Sequence, residues 1–245
     1  MYRSPQGRKH LALPATRFAW VQRAARPRCR DERDLQFLER LESLSTQHDI
    51  DLENYGRLFE LKQSLLSGDI SPNYSTLSND VIRRVVRYFP RLKVIFLARD
   101  PVERVWSHLS MEVQYRQIDP FDVTNIDEVN RNLLRRGLLS RSYPSAVVMR
   151  WKRHVPAEQF RVYFFDDLLS NPADLRRSVL FFLGADPDKT GSRWTADYNS
   201  WAKMEKLPLT NEVRSHLAKF FKNELKMCAT LLGGPARNWP ARYGF

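Results

Sequence analysis

A chain of 245 residues is long enough to bury a sizeable core, as one large domain or as one domain with a small appendage. Hydrophobic content of 42% with 12% aromatics excludes a disordered polymer, and no apolar run approaches the roughly 20 residues that a membrane span needs. Forty Lys and Arg against 28 Asp and Glu leave a net charge of +12, which points to an anionic partner: nucleic acid, a phosphate-bearing co-substrate, an acidic sugar or a lipid headgroup.

Residues 1–30 contain no acid, have prolines at 5, 14 and 27, and show little periodicity. They are read as an irregular basic segment ahead of a domain over 31–245. With no sustained hydrophobic stretch they are not a secretory signal. Their composition is also that of an Arg-rich transit peptide, and the default location is the cytoplasm. Cys29 and Cys228 are too few for a disulfide framework and form no metal-like cluster.

From 33 to 44, RDLQFLERLESL spaces Leu35, Leu38, Leu41 and Leu44 along one helix face, and a second short helix is predicted over 54–66. GDISPNYSTL opens a loop. A helix then runs from about Asn79 to Phe89, with an inner stripe of Val81, Val85 and Val86 flanked by Ile82 and Phe89, and Pro90 stops it. LKVIFLA, 92–98, has the continuous apolar character of a parallel strand covered on both faces. Asp100 is the natural N-cap and Pro101 the first residue of the next helix.

Further helices are predicted over 127–141 and 143–155, followed by a second buried strand over 160–169. SNPAD turns into the helix LRRSVLFFLG, which Gly184 closes. Residues 185–210 form a long polar loop, one last amphipathic helix is predicted over 211–233, and the tail GPARNWPARYGF ends the chain. No internal repeat or low-complexity tract occurs. The strand–helix alternation predicts an α/β domain with a mostly parallel sheet flanked by helices.

In such sheets ligands bind beyond the carboxyl ends of the strands, where IFLARDPVERVWSHL places Arg99. A guanidinium fork together with a hydroxyl two turns along the next helix, Ser107, can grip one phosphate. Taken alone, the same junction also fits an arginine paired with a nearby carboxylate and an ordinary helical serine. The neighbouring segments bear on that choice.

FLARDPVERVWSHL resembles the 3′-phosphate-binding motif of the sulfotransferases that use 3′-phosphoadenosine 5′-phosphosulfate (PAPS), in particular the bacterial and heparan-sulfate-type members. Arg99, Asp100, Pro101 and Ser107 match that motif in order and spacing. GDISPNYSTL is similar to the family's Gly-Glu-x-(Ser/Thr)-Pro-x-Tyr segment. RVYFFDDLLSNPADLRRSVLFFLG resembles its later strand, turn and helix, and PLTNEVRSHLAKFFKNELKMCATLLGGPARNW its closing helix and tryptophan. The likeness covers roughly residues 33–240 and implies the P-loop-NTPase-like sulfotransferase fold, with transfer of a sulfuryl group from PAPS to a hydroxyl or amine of a sugar or small metabolite.

The resemblance also implies roles. Arg99 and Ser107 would hold the 3′-phosphate. RDLQFLERL is similar to the family's Lys-Glu-Leu-His-Phe-Phe, which puts Asp34 at the catalytic base and Arg33 at the lysine; the aspartate is one methylene shorter, and acids are in any case favoured at a helix start. Tyr143 falls near the aromatic that relatives place by the adenine, although core packing explains an aromatic there equally. Lys203 and Lys206 fall in the loop that folds over the nucleotide, where solvated lysines are also ordinary. His108, beside the phosphate serine, is more simply a packed helical histidine. Acceptor-shaping loops are expected over 43–67, 110–130 and 186–208, and no metal is implied.

Relatives carry a 5′-phosphosulfate loop near Lys-x-Gly-Thr-Thr between a first strand and helix, and this sequence contains no such segment. Two readings follow. The chain is a truncated sulfotransferase, for which the Golgi lumen or another organelle is also open as a location, or it is a diverged PAP- or PAPS-binding protein without turnover. Losing oxyanion-type donors costs several kcal/mol of barrier at such sites. A nucleic-acid-binding role would account for the charge, yet no motif carries it, and no G-x-x-x-x-G-K-[ST] points to a P-loop kinase.

Overall fold

The computed structural model describes residues 27, 29, 31–45, 51–134, 137–189 and 206–245. The chain separates into two units, Met1–Ser71 with Arg87–Phe89, and Pro72–Val86 with Pro90–Phe245.

In the first unit, α1 spans Glu32–Ser45 and α2 spans Leu52–Arg57. Of the leucine stripe predicted for α1, Leu38 is buried, while Leu35, Leu41 and Leu44 are half-buried. The Asp51 carboxylate caps α2, accepting from the Asn54 N–H at 2.9 Å. The helix predicted over 54–66 is therefore earlier and shorter. A 3₁₀ turn over Glu60–Lys62 follows it, and Gln63, in the left-handed region at φ 55°, prevents any regular continuation.

The second unit is built on two parallel strands, β1 (Val94–Ala98) and β2 (Phe160–Phe164), in register from Val94 opposite Phe160 to Ala98 opposite Phe164. Its helices are α3 (Asn79–Tyr88, lying in this unit as far as Val86), α4 (Pro101–Gln114), α5 (Ile126–Leu133), α6 (Pro144–Lys152), α7 (Phe165–Ser170), α8 (Pro172–Leu183), α9 (Asn211–Phe220) and α10 (Lys222–Leu232). This is an α/β arrangement around a parallel sheet, as the alternation predicts.

Several boundaries differ from expectation. The second strand stops at Phe164, because Phe165–Ser170 turn at once into α7 rather than extending to residue 169. The predicted closing helix is two helices, broken at Phe221, whose backbone lies at φ −91°, ψ 9° while its ring is buried in the core. In α3 the fully buried residue is Ile82, packed with Val147, Val148 and Trp151 of α6; Val81, Val85 and Val86 are only half-buried. The partner helix, not the count of valines, sets the centre of the buried stripe.

One face of the sheet, Val94, Phe96, Phe160, Val162 and Phe164, packs on the core. The other is covered on the β2 side, where the Tyr163 hydroxyl donates to the Ser178 carbonyl of α8 at 2.9 Å and Arg161 stacks over Phe182. On the β1 side Ile95 and Leu97 remain 38% and 44% exposed, so the strand is not covered on both faces as expected. The main core joins Val102, Val105, Trp106 and Leu109 of α4 to Val213 and Leu217 of α9, Leu225 of α10 and Trp239. Among the described residues no helix is long and apolar enough to cross a membrane.

Candidate functional site

The site grows from the turn that ends β1. Asp100 caps α4, its carboxylate accepting from the Val102 N–H at 2.9 Å, and Pro101 opens the helix at the position where its missing N–H costs nothing. α4 then turns Val102, Val105, Trp106 and Leu109 inward. Arg104 and Ser107, three apart, share the less buried side, where both are half-buried.

Arg99 leaves the strand end with its guanidinium stacked over the Phe165 ring, 4.5 Å from the centroid. The carboxylate nearest to it, Glu103, is at 3.9 Å and is held more closely by Arg214 at 2.6 Å. Arg99 thus has the carboxylate neighbour that the alternative reading foresaw, at the long end of an ion pair and shared with Arg214. Burial lowers the Arg99 pKa from the ordinary arginine value, against the opposing pull of Glu103, Asp100 and Asp166.

Two further arginines, neither given a role from the sequence, adjoin it. Arg104 has no side-chain hydrogen bond or ion pair among the described residues. Burial, then the charges of Arg141 and Arg99, push its pKa down to about 10. Arg141 donates to the Asn73 side-chain oxygen. The Ser107 hydroxyl makes no hydrogen bond with another described residue. A concentration of guanidinium charge is suited to a multiply charged oxyanion. The signal for Arg104 lay in the sequence, one helical turn before Ser107; Arg141 is distant in sequence and only the fold brings it near.

His108 is 7% exposed, with Nε2 3.6 Å from Glu112 Oε1 and Nδ1 buried without a hydrogen-bond partner among the described residues. Burial, reinforced by Arg104 and Arg141, holds its pKa at about 4, so the ring is neutral at pH 7. It is a packed, uncharged neighbour of the site.

The turns after both strands are tied to the C-terminus. Asp100 also accepts from the Tyr243 hydroxyl at 2.9 Å and lies 3.6 Å from Arg242 Nη1. Asp166, after β2, accepts from Trp239 Nε1 at 3.3 Å and pairs with Arg242. Burial raises the Asp100 pKa, opposed by the bonds from Tyr243 and Val102.

Of the other candidates, Tyr143 stands at the N-cap of α6, its ring edge-on to Phe221 at 5.6 Å and packed against the core. Lys206 is exposed, and the next residue, Leu207, accepts from Trp106 Nε1 at 3.0 Å, which anchors that end of the loop on α4. Lys203 lies outside the described residues. Asp34 is exposed in the first turn of α1 and belongs to the first unit, whereas Arg99, Arg104, Ser107 and Arg141 all belong to the second. Among the described residues no group of three His, Cys, Asp or Glu could hold a metal ion.

The model of a protein family described as the sulfotransferase family matches residues 64–189, just over half of the 245. Among solved structures, the fold is similar to a sulfotransferase from Alicyclobacillus acidocaldarius, with TM-score 0.57 and 21% identity, covering 81% of this chain and 77% of that one. A sulfotransferase domain from the curacin biosynthetic pathway aligns with TM-score 0.46 and 17% identity, over 85% of this chain and 77% of that one. No curated protein matches the chain at comparable significance.

Proposed function

The chain belongs to the sulfotransferase family, whose chemistry is sulfuryl transfer, and from that premise we propose that it takes PAPS as donor and a hydroxyl or amine, on a sugar or small metabolite, as acceptor. In this reading the Arg99 fork and the Ser107 hydroxyl hold the 3′-phosphate, and Arg104 adds charge from one turn earlier on the same helix. The observation that carries it is Arg104: a half-buried cation beside Arg99 and Arg141 with no carboxylate of its own among the described residues. Leaving such a charge without a counter-ion is costly, and a bound phosphate dianion would remove the cost.

Asp34 is proposed as the base. It would take the proton of the acceptor as the acceptor oxygen or nitrogen bonds to sulfur and the sulfur–oxygen bond to the nucleotide breaks, releasing adenosine 3′,5′-bisphosphate (PAP). Tyr143, Lys203 and Lys206 are secondary candidates for nucleotide contact. The sequence contains no Lys-x-Gly-Thr-Thr segment, and that observation favours a second reading, in which this chain grips the nucleotide without turning it over.

Calorimetric titration with PAP, paired with transfer of labelled sulfate from PAPS to a panel of hydroxyl and amine acceptors, tests both. PAP binds the parent protein, and Arg99→Ala weakens it by about tenfold or more, the scale of losing a charge-assisted contact. Asp34→Asn leaves PAP binding intact and lowers transfer by about 10²-fold or more. Absence of PAP binding, or binding unchanged in both Arg99→Ala and Ser107→Ala, refutes the assignment. Binding with no transfer to any acceptor selects the second reading.

A further inference from the structure

The two strands end side by side, Ala98 opposite Phe164, and each is followed two residues later by an aspartate, Asp100 after β1 and Asp166 after β2. Arg99 lies at this edge, its guanidinium over the ring of Phe165 and subject to the charges of both carboxylates. Its one ion pair, to Glu103 at 3.9 Å, is long and shared with Arg214, so an arginine so placed is poised to fold back onto either aspartate should one be vacated.

Something else already occupies both. Arg242 points Nη1 toward Asp100 Oδ2 at 3.6 Å and bonds Asp166 Oδ1 through Nη2. The Tyr243 hydroxyl donates to Asp100 at 2.9 Å and the Trp239 indole N–H to Asp166 at 3.3 Å. The segment that bears these groups is itself anchored, Trp239 fully buried and edge-on to Phe164 of β2, and Phe245 lying under the Lys222 ammonium.

We infer that the C-terminal segment Trp239–Tyr243 is a positioning clamp for the anion site: by occupying Asp100 and Asp166, Arg242 and Tyr243 keep Arg99 from being neutralised by its neighbours and leave its fork available to phosphate. This rests on the reading of Arg99 as a 3′-phosphate ligand. The clamp touches no substrate atom; it acts through Arg99.

The test measures the dissociation constants of adenosine 5′-monophosphate and of PAP, and the ratio of the first to the second gives what the 3′-phosphate contributes. In Arg242→Met, Arg99 collapses onto the vacated Asp166, and the ratio falls about tenfold while the monophosphate constant changes less than about twofold. Adding Asp166→Asn to Arg242→Met removes the competing charge and restores the ratio to within about threefold of the parent. Tyr243→Phe, a milder change, lowers the ratio about threefold and decides the matter if Arg242→Met does not fold. A merely structural tail would weaken both nucleotides together and would gain nothing from Asp166→Asn. An unchanged ratio in Arg242→Met or in Tyr243→Phe, or failure of Asp166→Asn to restore it, overturns the clamp. A parent protein with no preference for PAP over the monophosphate overturns the reading of Arg99 itself, and the clamp with it.

Discussion

His108 gives the site a pH signature in stability. Two influences compete on its ring: the Glu112 carboxylate, 3.6 Å away, favours the imidazolium, while burial and the charges of Arg104 and Arg141 oppose it. Burial and the arginines win, and the folded-state pKa is about 4 against 6.5 for the free side chain. The sign follows from linkage. Above pH 6.5 the ring is neutral folded and unfolded, and stability is undiminished; as pH falls from 6.5 toward 4 the unfolded chain takes up the proton and the folded one does not, so stability is lost. The displacement corresponds to about 3 kcal/mol at most. His108→Leu removes the titration, and also the buried Nδ1 that has no partner among the described residues, so the variant should be at least as stable as the parent at pH 7.5. Urea unfolding of the two proteins from pH 7.5 to 4, in buffers without phosphate or sulfate, should show the variant gaining about 2–3 kcal/mol on the parent across that window. A difference constant with pH, or one in which the parent gains below pH 6.5, would refute the argument that the buried, arginine-rich setting outweighs Glu112.

Three further changes test how the site is held. Asp100→Ala removes the α4 cap and strands the Tyr243 hydroxyl, and should lower stability by about 2–4 kcal/mol in denaturant unfolding; Asp100→Asn should cost less than half as much. Glu224 accepts from the Ser145 N–H and hydroxyl, both at 2.8 Å, and from Cys228 Sγ at 3.2 Å, supplying the buried start of α6 with the cap that Tyr143 does not give. Glu224→Ala should therefore destabilise by about 3 kcal/mol, with Glu224→Gln intermediate. Gly234 lies at φ 51° with a would-be Cβ 2.9 Å from the Phe164 ring, so Gly234→Ala should lower Tm by several degrees, measured calorimetrically.

Much of this was legible because it is local. Asp100 and Pro101 announce the start of α4 through capping chemistry that needs no tertiary partner, and Gly184, left-handed at φ 80°, closes α8 where expected. The Arg99–Ser107 spacing is likewise a property of one turn and one helix. Where expectation failed, a partner element intervened. Phe221 interrupts a uniformly amphipathic stretch, its ring buried in a core assembled from four other helices and the tail, and Phe165–Ser170 coil although FRVYFFDDLL reads as one apolar run.

The sequence by itself determined that an arginine directly follows β1, that a capped helix begins at once and carries a serine two turns along, and that the segments follow the order of the sulfotransferase family. These depend on interactions within a few residues of one another. Only the tertiary structure decided that Arg141 joins Arg99 and Arg104, that Glu103 is given to Arg214, and that Arg242 and Tyr243 return from the far end of the chain to hold Asp100 and Asp166. Those contacts span more than a hundred residues in several cases, and the pairing of a charge across such a separation is set by packing, which no local pattern encodes.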